Sequence, residues 1–271
     1  MRLSIRHTTR YEFARPVAHG LQRLRLTPKE TQGQKILDWT MEYSGAREEL
    51  CYEDQHVNTV VLVSVEEGAS EVMVTCHGKV DTEDQAGVIG WHSGSLPLWS
   101  FLSQTERSRP GAKMNVLIAD VRAQDGDPIE RLHSLSAMIR DRVEYRAHTT
   151  SVNTTAEEAV RDGRGVCQDH THIFCGAARA LGIPARYVSG YMMMDDRIEQ
   201  EATHAWAEAH VDGIGWVGFD ISNGISPDAR YVRVATGRDY SEAAPVTGMS
   251  YGAGEQALYV DLAVEQQIVE Q

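Results

Sequence analysis

Cys167 lies in Gly163-Arg164-Gly165-Val166-Cys167-Gln168-Asp169-His170, His204 opens His204-Ala205-Trp206, and Asp220 closes Gly215-Trp216-Val217-Gly218-Phe219-Asp220. A thiol, an imidazole and a carboxylate are together the parts needed for acyl transfer. A thiolate attacks an acyl carbon, the imidazole moves the proton from thiol to leaving amine, and the carboxylate fixes the imidazole tautomer and stabilises its charged form. Each residue alone has an ordinary alternative. A free cysteine is usually a small buried hydrophobe. His204 could be a structural histidine, and Asp220 could be a turn residue ahead of Ser222-Asn223-Gly224. The elements that carry them decide between the two readings.

Arg161-Asp162-Gly163-Arg164-Gly165 is polar and broken by glycine, whereas Val166, Ile173, Phe174, Cys175, Ala177, Ala178, Ala180 and Leu181 recur at helical spacing. The pattern predicts a helix beginning at about Cys167 and stopping near Gly182, with Pro184 forbidding continuation. A cysteine in the first turn meets the partial positive charge of unpaired backbone amides, which favours the thiolate. Cys175, on the apolar face, reads as structural.

The run His204 to Val211 alternates small apolar residues with larger ones at period two, and Ile214 to Asp220 reads as the returning strand after a turn at Asp212-Gly213. A hairpin centred on residue 212 sets His204 directly opposite Asp220, with Cβ atoms about 4.5–5.5 Å apart. A two-residue loop at Asp212-Gly213 would slip the register by one and send the pair to opposite faces. The pairing therefore requires a loop of three or five residues.

Cys167, Asp169, His170, His172, Cys175 and His204 are all able to bind metal, and a zinc hydrolase would need three of them on one ion. On a helix, residues 167, 170 and 174 share a face while 172 points away, so no compact ligand set forms with Cys175. The expectation is no metal site and no cofactor.

The chain has 271 residues, enough for a substantial core and two domains. Its formal net charge of −13 argues against nucleic acid as a partner, since phosphate binding needs clustered Lys and Arg. The basic residues between Arg2 and Arg25 are interleaved with apolar ones and read as the polar face of a sheet. The cysteines at 51, 76, 167 and 175 have no disulfide-framework spacing, and one is wanted as a thiolate, which suits a reducing compartment. Met1-Arg2-Leu3-Ser4-Ile5-Arg6-His7 lacks the form of a signal peptide. The longest apolar run, Thr59 to Val65, is too short to span a bilayer. Cytoplasmic location and no membrane partner are expected, and no signal fixes an oligomeric state.

Residues 1–90 carry strand patterns such as Val60 to Val65 and Glu71 to Cys76, giving a β-rich N-terminal domain. Residues 91–127 form a connecting segment in which Trp91, Leu96, Leu98, Trp99, Phe101 and Leu102 are expected to pack the junction or flank a cleft, chiefly as core. Residues 128–271 form the catalytic core. It contains a helix from Pro128 to about Val143 capped by Asp127, a helix announced by the Thr155-Ala156-Glu157-Glu158 capping box, and a final strand at Leu258 to Val264.

The stretches Gly165-Val166-Cys167-Gln168-Asp169, Ala180 to Tyr191, His204-Ala205-Trp206 and Gly215 to Asp220 resemble the bacterial transglutaminase-like superfamily, whose members are often described as candidate cysteine proteases. Arg2 to Tyr11, Arg15-Pro16 and Leu24 to Pro28 are similar to the β-rich N-terminal domain that accompanies that core, and Gly237-Arg238-Asp239-Tyr240 and Pro245 also fit. The resemblance implies an α+β fold with a papain-like, transglutaminase-like core. It also implies Cys167 as nucleophile, His204 as general acid-base and Asp220 as third member. Two departures stand out. Where the family usually has Pro-Thr-Asn after the aspartate, this chain has Ile221-Ser222-Asn223, and where it usually has an aromatic and a small residue after Asp169, this chain has His170-Thr171-His172.

The resulting expectation is hydrolysis of a peptide or isopeptide amide through a Cys167 thioester, with a peptide or protein as substrate. Amine transfer that crosslinks proteins, and a binding scaffold without turnover, are the alternatives.

Overall fold

In the computed structural model, which describes residues 1–267, helices pack on a mixed-order antiparallel sheet and two further sheets are built around the N-terminal strands. The core sheet runs Tyr231–Gly237, Ala185–Met192, His204–Val211, Gly215–Phe219 and Val88–Gly90. Ala205, Ala207 and Ala209 give one of its faces no bulk, so the helix Cys167–Ala180 lies close against it. Phe174, Cys175, Ala177 and Ala178 fill that contact with Val217 and Phe219.

The helices start and stop where short-range chemistry says they must. Asp127 accepts from the Glu130 amide at 2.9 Å at the head of Pro128–Arg142, and Thr155 does the same for Glu158 ahead of Ala156–Asp162. The helix carrying Cys167 ends at Ala180, and Gly182 follows with φ 84°.

A helix at Ala112–Arg122 lies inside the segment read from sequence as a connection. It has no cap of its own. Glu157, on another helix, accepts from the amides of Gly111, Lys113 and Met114 at 3.0, 2.7 and 3.0 Å. The cap is 43 to 46 residues away along the chain, so no local motif announces it.

The N-terminal strands form two sheets. One is ordered Glu199–Gln200, Gln256–Gln266, Arg2–Phe13, Glu71–Thr82, Gln34–Ser44, and the other Val246–Tyr251, His19–Leu24, Thr59–Val65, Ala46–Glu53. The last strand pairs antiparallel with the first from Leu3↔Gln266 to Phe13↔Gln256. Thus the final strands, expected within a core of 128–271, hydrogen-bond into the N-terminal sheets, and Val88–Gly90 edges the core sheet instead.

The expected packing role of the connecting aromatics holds for Phe101 but not for the tryptophans. Phe101 is buried against Trp216, ring centroids 5.2 Å apart, whereas Trp91 and Trp99 are 73% and 68% exposed. Among the described residues, no helix is long and apolar enough to cross a membrane.

Candidate active site

Cys167 is the first residue of its helix and is half-buried. Val166 supplies no side-chain oxygen to cap the turn. Asp169 takes that role, accepting from the Val166 amide at 2.8 Å and from Thr150 Oγ1 at 2.7 Å. Burial raises the Asp169 pKa, against the lowering effect of those two bonds.

The hairpin that carries the other two residues is centred on Gly213, not on residue 212. Val211 pairs with Gly215 across a three-residue loop, Ala209 with Val217, and Ala207 with Phe219. Continued by parity, this register puts Asp220 opposite Trp206 and diagonal to His204, so the expected direct opposition is corrected. The difference is two residues in partner, which preserves the face, and a diagonal separation of about 7–8 Å is within reach of long side chains. His204 Nε2 reaches Asp220 Oδ2 at 2.6 Å.

Asp220 is fully buried and surrounded by donors. Besides His204, Tyr231 Oη donates to Oδ2 at 2.7 Å, Asn223 Nδ2 to Oδ2 at 2.7 Å, and the Asn223 amide to Oδ1 at 3.2 Å. Burial opposes ionisation of this carboxylate, but the His204, Tyr231 and Asn223 bonds outweigh it and hold its pKa below the ordinary value. Burial also disfavours imidazolium at His204. The hydrogen bonds to Asp220 and to the Cys167 sulfur, with the negative charge of both, overcome that and push its pKa up to about 10. Since Nε2 is committed to Asp220, Nδ1 is the ring nitrogen that remains for the thiol.

The two departures from the family pattern meet in space. The Val143 carbonyl can only accept, so His170 Nε2 at 2.9 Å must carry the proton, and Nδ1 accepts from Ser222 Oγ at 2.8 Å. A neutral His170, its pKa lowered chiefly by burial, thereby ties the cysteine helix to the turn that follows Asp220. His172 Nε2 accepts from the Tyr240 amide at 3.1 Å, and burial drives its pKa down to about 3. Cys175, on the same helix, is fully buried. Among the described residues no three His, Cys, Asp or Glu side chains gather as a metal site.

Two cavities of about 640 and 880 Å³ share Tyr145, Ala147, Met194, Arg197 and His204, forming a cleft on both sides of the imidazole. Cys167 and Gln168 line one side, Asn223 and Tyr231 the other. Sequence reasoning found Cys167, His204 and Asp220, which the fold brings together, but not the parts played by Tyr231, Asn223 and Tyr145. Asn223, three residues after Asp220 in a turn, carried a local signal for an Asp-centred turn. Tyr231 is on a strand three positions in the sheet from the one that leads into Asp220, and carried none.

Residues 116–221 match the model of the transglutaminase-like superfamily, and residues 3–81 that of the bacterial transglutaminase-like N-terminal region. An uncharacterized protein of Mycobacterium leprae is 27% identical over 276 residues, covering 97% of this chain and 98% of its own length. An uncharacterized protein of Mycobacterium tuberculosis is 35% identical over 147 residues, and the match spans 51% of this chain but 46% of that protein. The crystal structure of a candidate cysteine protease from Cytophaga hutchinsonii superposes with a TM-score of 0.78 over 100% of this chain and 92% of its own, at 21% identity. That likeness demonstrates a shared fold.

Proposed function

Because the chain belongs to the transglutaminase-like superfamily, with the bacterial N-terminal region ahead of its core, we propose that it is a thiol-dependent acyl-transfer enzyme that hydrolyses a peptide or isopeptide amide. The observation that carries this reading is the 2.6 Å contact between His204 Nε2 and the buried Asp220 Oδ2 beside a cysteine at a helix start, with Cys167 and His204 facing one cleft.

In the first half-reaction the Cys167 sulfur forms a bond to the acyl carbon, the C–N bond breaks, and the proton on His204 Nδ1 goes to the departing amine. In the second, His204 takes a proton from water, the hydroxide attacks the thioester carbon, and the C–S bond breaks to return the thiolate. The amide of Cys167 in the first helical turn is a donor for the oxyanion. The openness of the cleft on both sides of His204 favours water as acceptor over a bound amine. The substrate would be a peptide or protein and the compartment the cytoplasm, where four free cysteines, one of them a nucleophile, remain reduced.

A fluorogenic peptide-amide library tests the reaction, with intact-protein mass spectrometry reading an acyl adduct on Cys167. Turnover that survives Cys167→Ala would sink the assignment. Iodoacetamide should modify Cys167 ahead of the other three cysteines. Burial pushes Cys76 and Cys175 up to about 12, which leaves exposed Cys51 as the competitor. Peptide mapping over a time course checks the order, and Cys51 labelling first would contradict it. Since His204 holds its proton up to about 10, kcat/KM should fall as pH rises through that value, where the general acid is lost. A profile flat through pH 10 would contradict the imidazolium assignment.

A further inference from the structure

On the strand Ala185–Met192, Tyr187 and Ser189 line the cleft of Cys167, while Arg186, one residue before Tyr187, faces the other side of the sheet, where a separate cavity of about 280 Å³ opens against the N-terminal sheets. Lys29, His56 and Trp91 from the N-terminal half line it with Arg186, Trp216 and Arg233 from the core.

The charges beneath this cavity do not balance. Glu208, directly opposite Arg186 in the sheet, accepts from Arg186 Nε at 2.6 Å and from Arg233 Nε and Nη2 at 2.6 and 2.9 Å. One buried carboxylate thus serves two guanidiniums, themselves 8% and 6% exposed. Lys29 donates Nζ to the carbonyls of His56 and Val57 and to Asn58 Oδ1. Burial, reinforced by the charges of Arg233 and Arg186, lowers its pKa to about 6, so it adds little charge near neutral pH. Among these buried groups the surplus is one positive charge, and the carboxylate of Glu30, which also lines the cavity, is exposed to water.

Arg186 also has unused donors. It is more than nine-tenths buried, yet its terminal nitrogens donate to no group among the described residues, because only Nε is engaged by Glu208. The guanidinium carbon sits 3.8 Å over the Trp216 ring, which holds the plane of the fork still. His56 Nδ1 is buried without a partner, while its Nε2 meets Glu242 Oε2 at 2.9 Å. A fixed, planar pair of N–H donors, in a buried cluster with one excess positive charge, matches a planar monoanion in charge and shape. Trp91, 73% exposed at this cavity, offers an aromatic surface to whatever that anion carries.

We propose that this cavity binds a small carboxylate with a flat or apolar body, its oxygens on the terminal nitrogens of Arg186 and its body against Trp91. The site is separate from the thiol and does not depend on its reactivity.

Benzoate, acetate and inorganic phosphate at constant ionic strength are the probes. In the unaltered protein, phenylglyoxal should modify Arg186, and benzoate should protect it better than phosphate does. Peptide mass spectrometry reads the site. Titration followed by tryptophan fluorescence, which reports Trp91 and Trp216, should saturate with benzoate. Arg186→Gln should weaken benzoate by about tenfold or more. Trp91→Ala, a change at an exposed position that leaves the buried charges intact, should weaken benzoate by roughly threefold and acetate less. Inertness of Arg186 to phenylglyoxal, modification indifferent to benzoate, or better protection by phosphate would each overturn the carboxylate site.

Discussion

Asp220→Asn should fold as the parent does and lose about a hundredfold or more in kcat/KM, with His204→Ala losing at least as much. The four groups around the Asp220 carboxylate are all donors, and three of them converge on Oδ2. An asparagine can keep an oxygen there, so the turn survives, but it brings no charge to stabilise the imidazolium. The His204 pKa should then drop from about 10 toward its ordinary value, and the alkaline limb of the activity profile should move down with it.

The same substitution changes the dependence of stability on pH. The folded-state pKa of His204 is raised, so the stability it contributes is present in full below the ordinary histidine value of 6.5 and is lost as pH climbs through about 10. Asp220 is depressed, so its contribution is present above the ordinary 3.8 and lost as pH falls through the folded value. Asp220→Asn should flatten both limbs of a melting-temperature profile. Activity on a peptide from the library and thermal melts across pH measure these effects. An Asp220→Asn protein within about threefold of parent activity would remove the carboxylate from the mechanism.

Glu208→Ala should destabilise the protein by about 3–5 kcal/mol, because it leaves two guanidiniums buried without their shared carboxylate. That loss corresponds to a fall in Tm of roughly 6–20 °C at about 2–4 °C per kcal/mol for a chain of this size class. The intact cluster is not therefore a large net stabiliser, since desolvating three charges offsets most of their attraction. Replacing all three together, Arg186→Met, Glu208→Leu and Arg233→Met, should recover much of the loss. The bonds to Arg233 and Arg186 overcome the opposing effect of burial and lower the Glu208 pKa, so its contribution is present above the ordinary value and lost as pH falls. Urea melts of the single and triple variants decide the matter. A Glu208→Ala protein less than about 1 kcal/mol weaker than the parent would mean that water reaches the guanidiniums.

The start of the cysteine helix, its stop before Gly182, and the caps Asp127 and Thr155 were all legible in the sequence. Each is set by groups within one turn of one another, and such contacts leave a pattern a few residues long. The period-two runs at His204 to Val211 and Glu71 to Cys76 were legible for a similar reason: burying one face of a strand writes itself into alternate residues. The chemistry was visible as residue types, but its geometry was only partly so. The hairpin is centred one residue later than residue 212, on which the expected register was centred, and face parity survived because the partner shifted by two positions.

Contacts between distant segments were decided by the tertiary structure alone. Glu157 capping Ala112–Arg122, Tyr231 on Asp220, His170 on Ser222, and Glu208 between Arg186 and Arg233 each join groups from separate elements. No periodicity records which donor will meet which acceptor across such a gap. The return of Gln256–Gln266 to pair with Arg2–Phe13 is of the same kind, because strand partners are chosen by the sheet that closes and not by the strand's own residues. A chain can therefore announce its thiol, imidazole and carboxylate by type and order, while the hydrogen bonds that charge and orient them exist only once the sheet has formed.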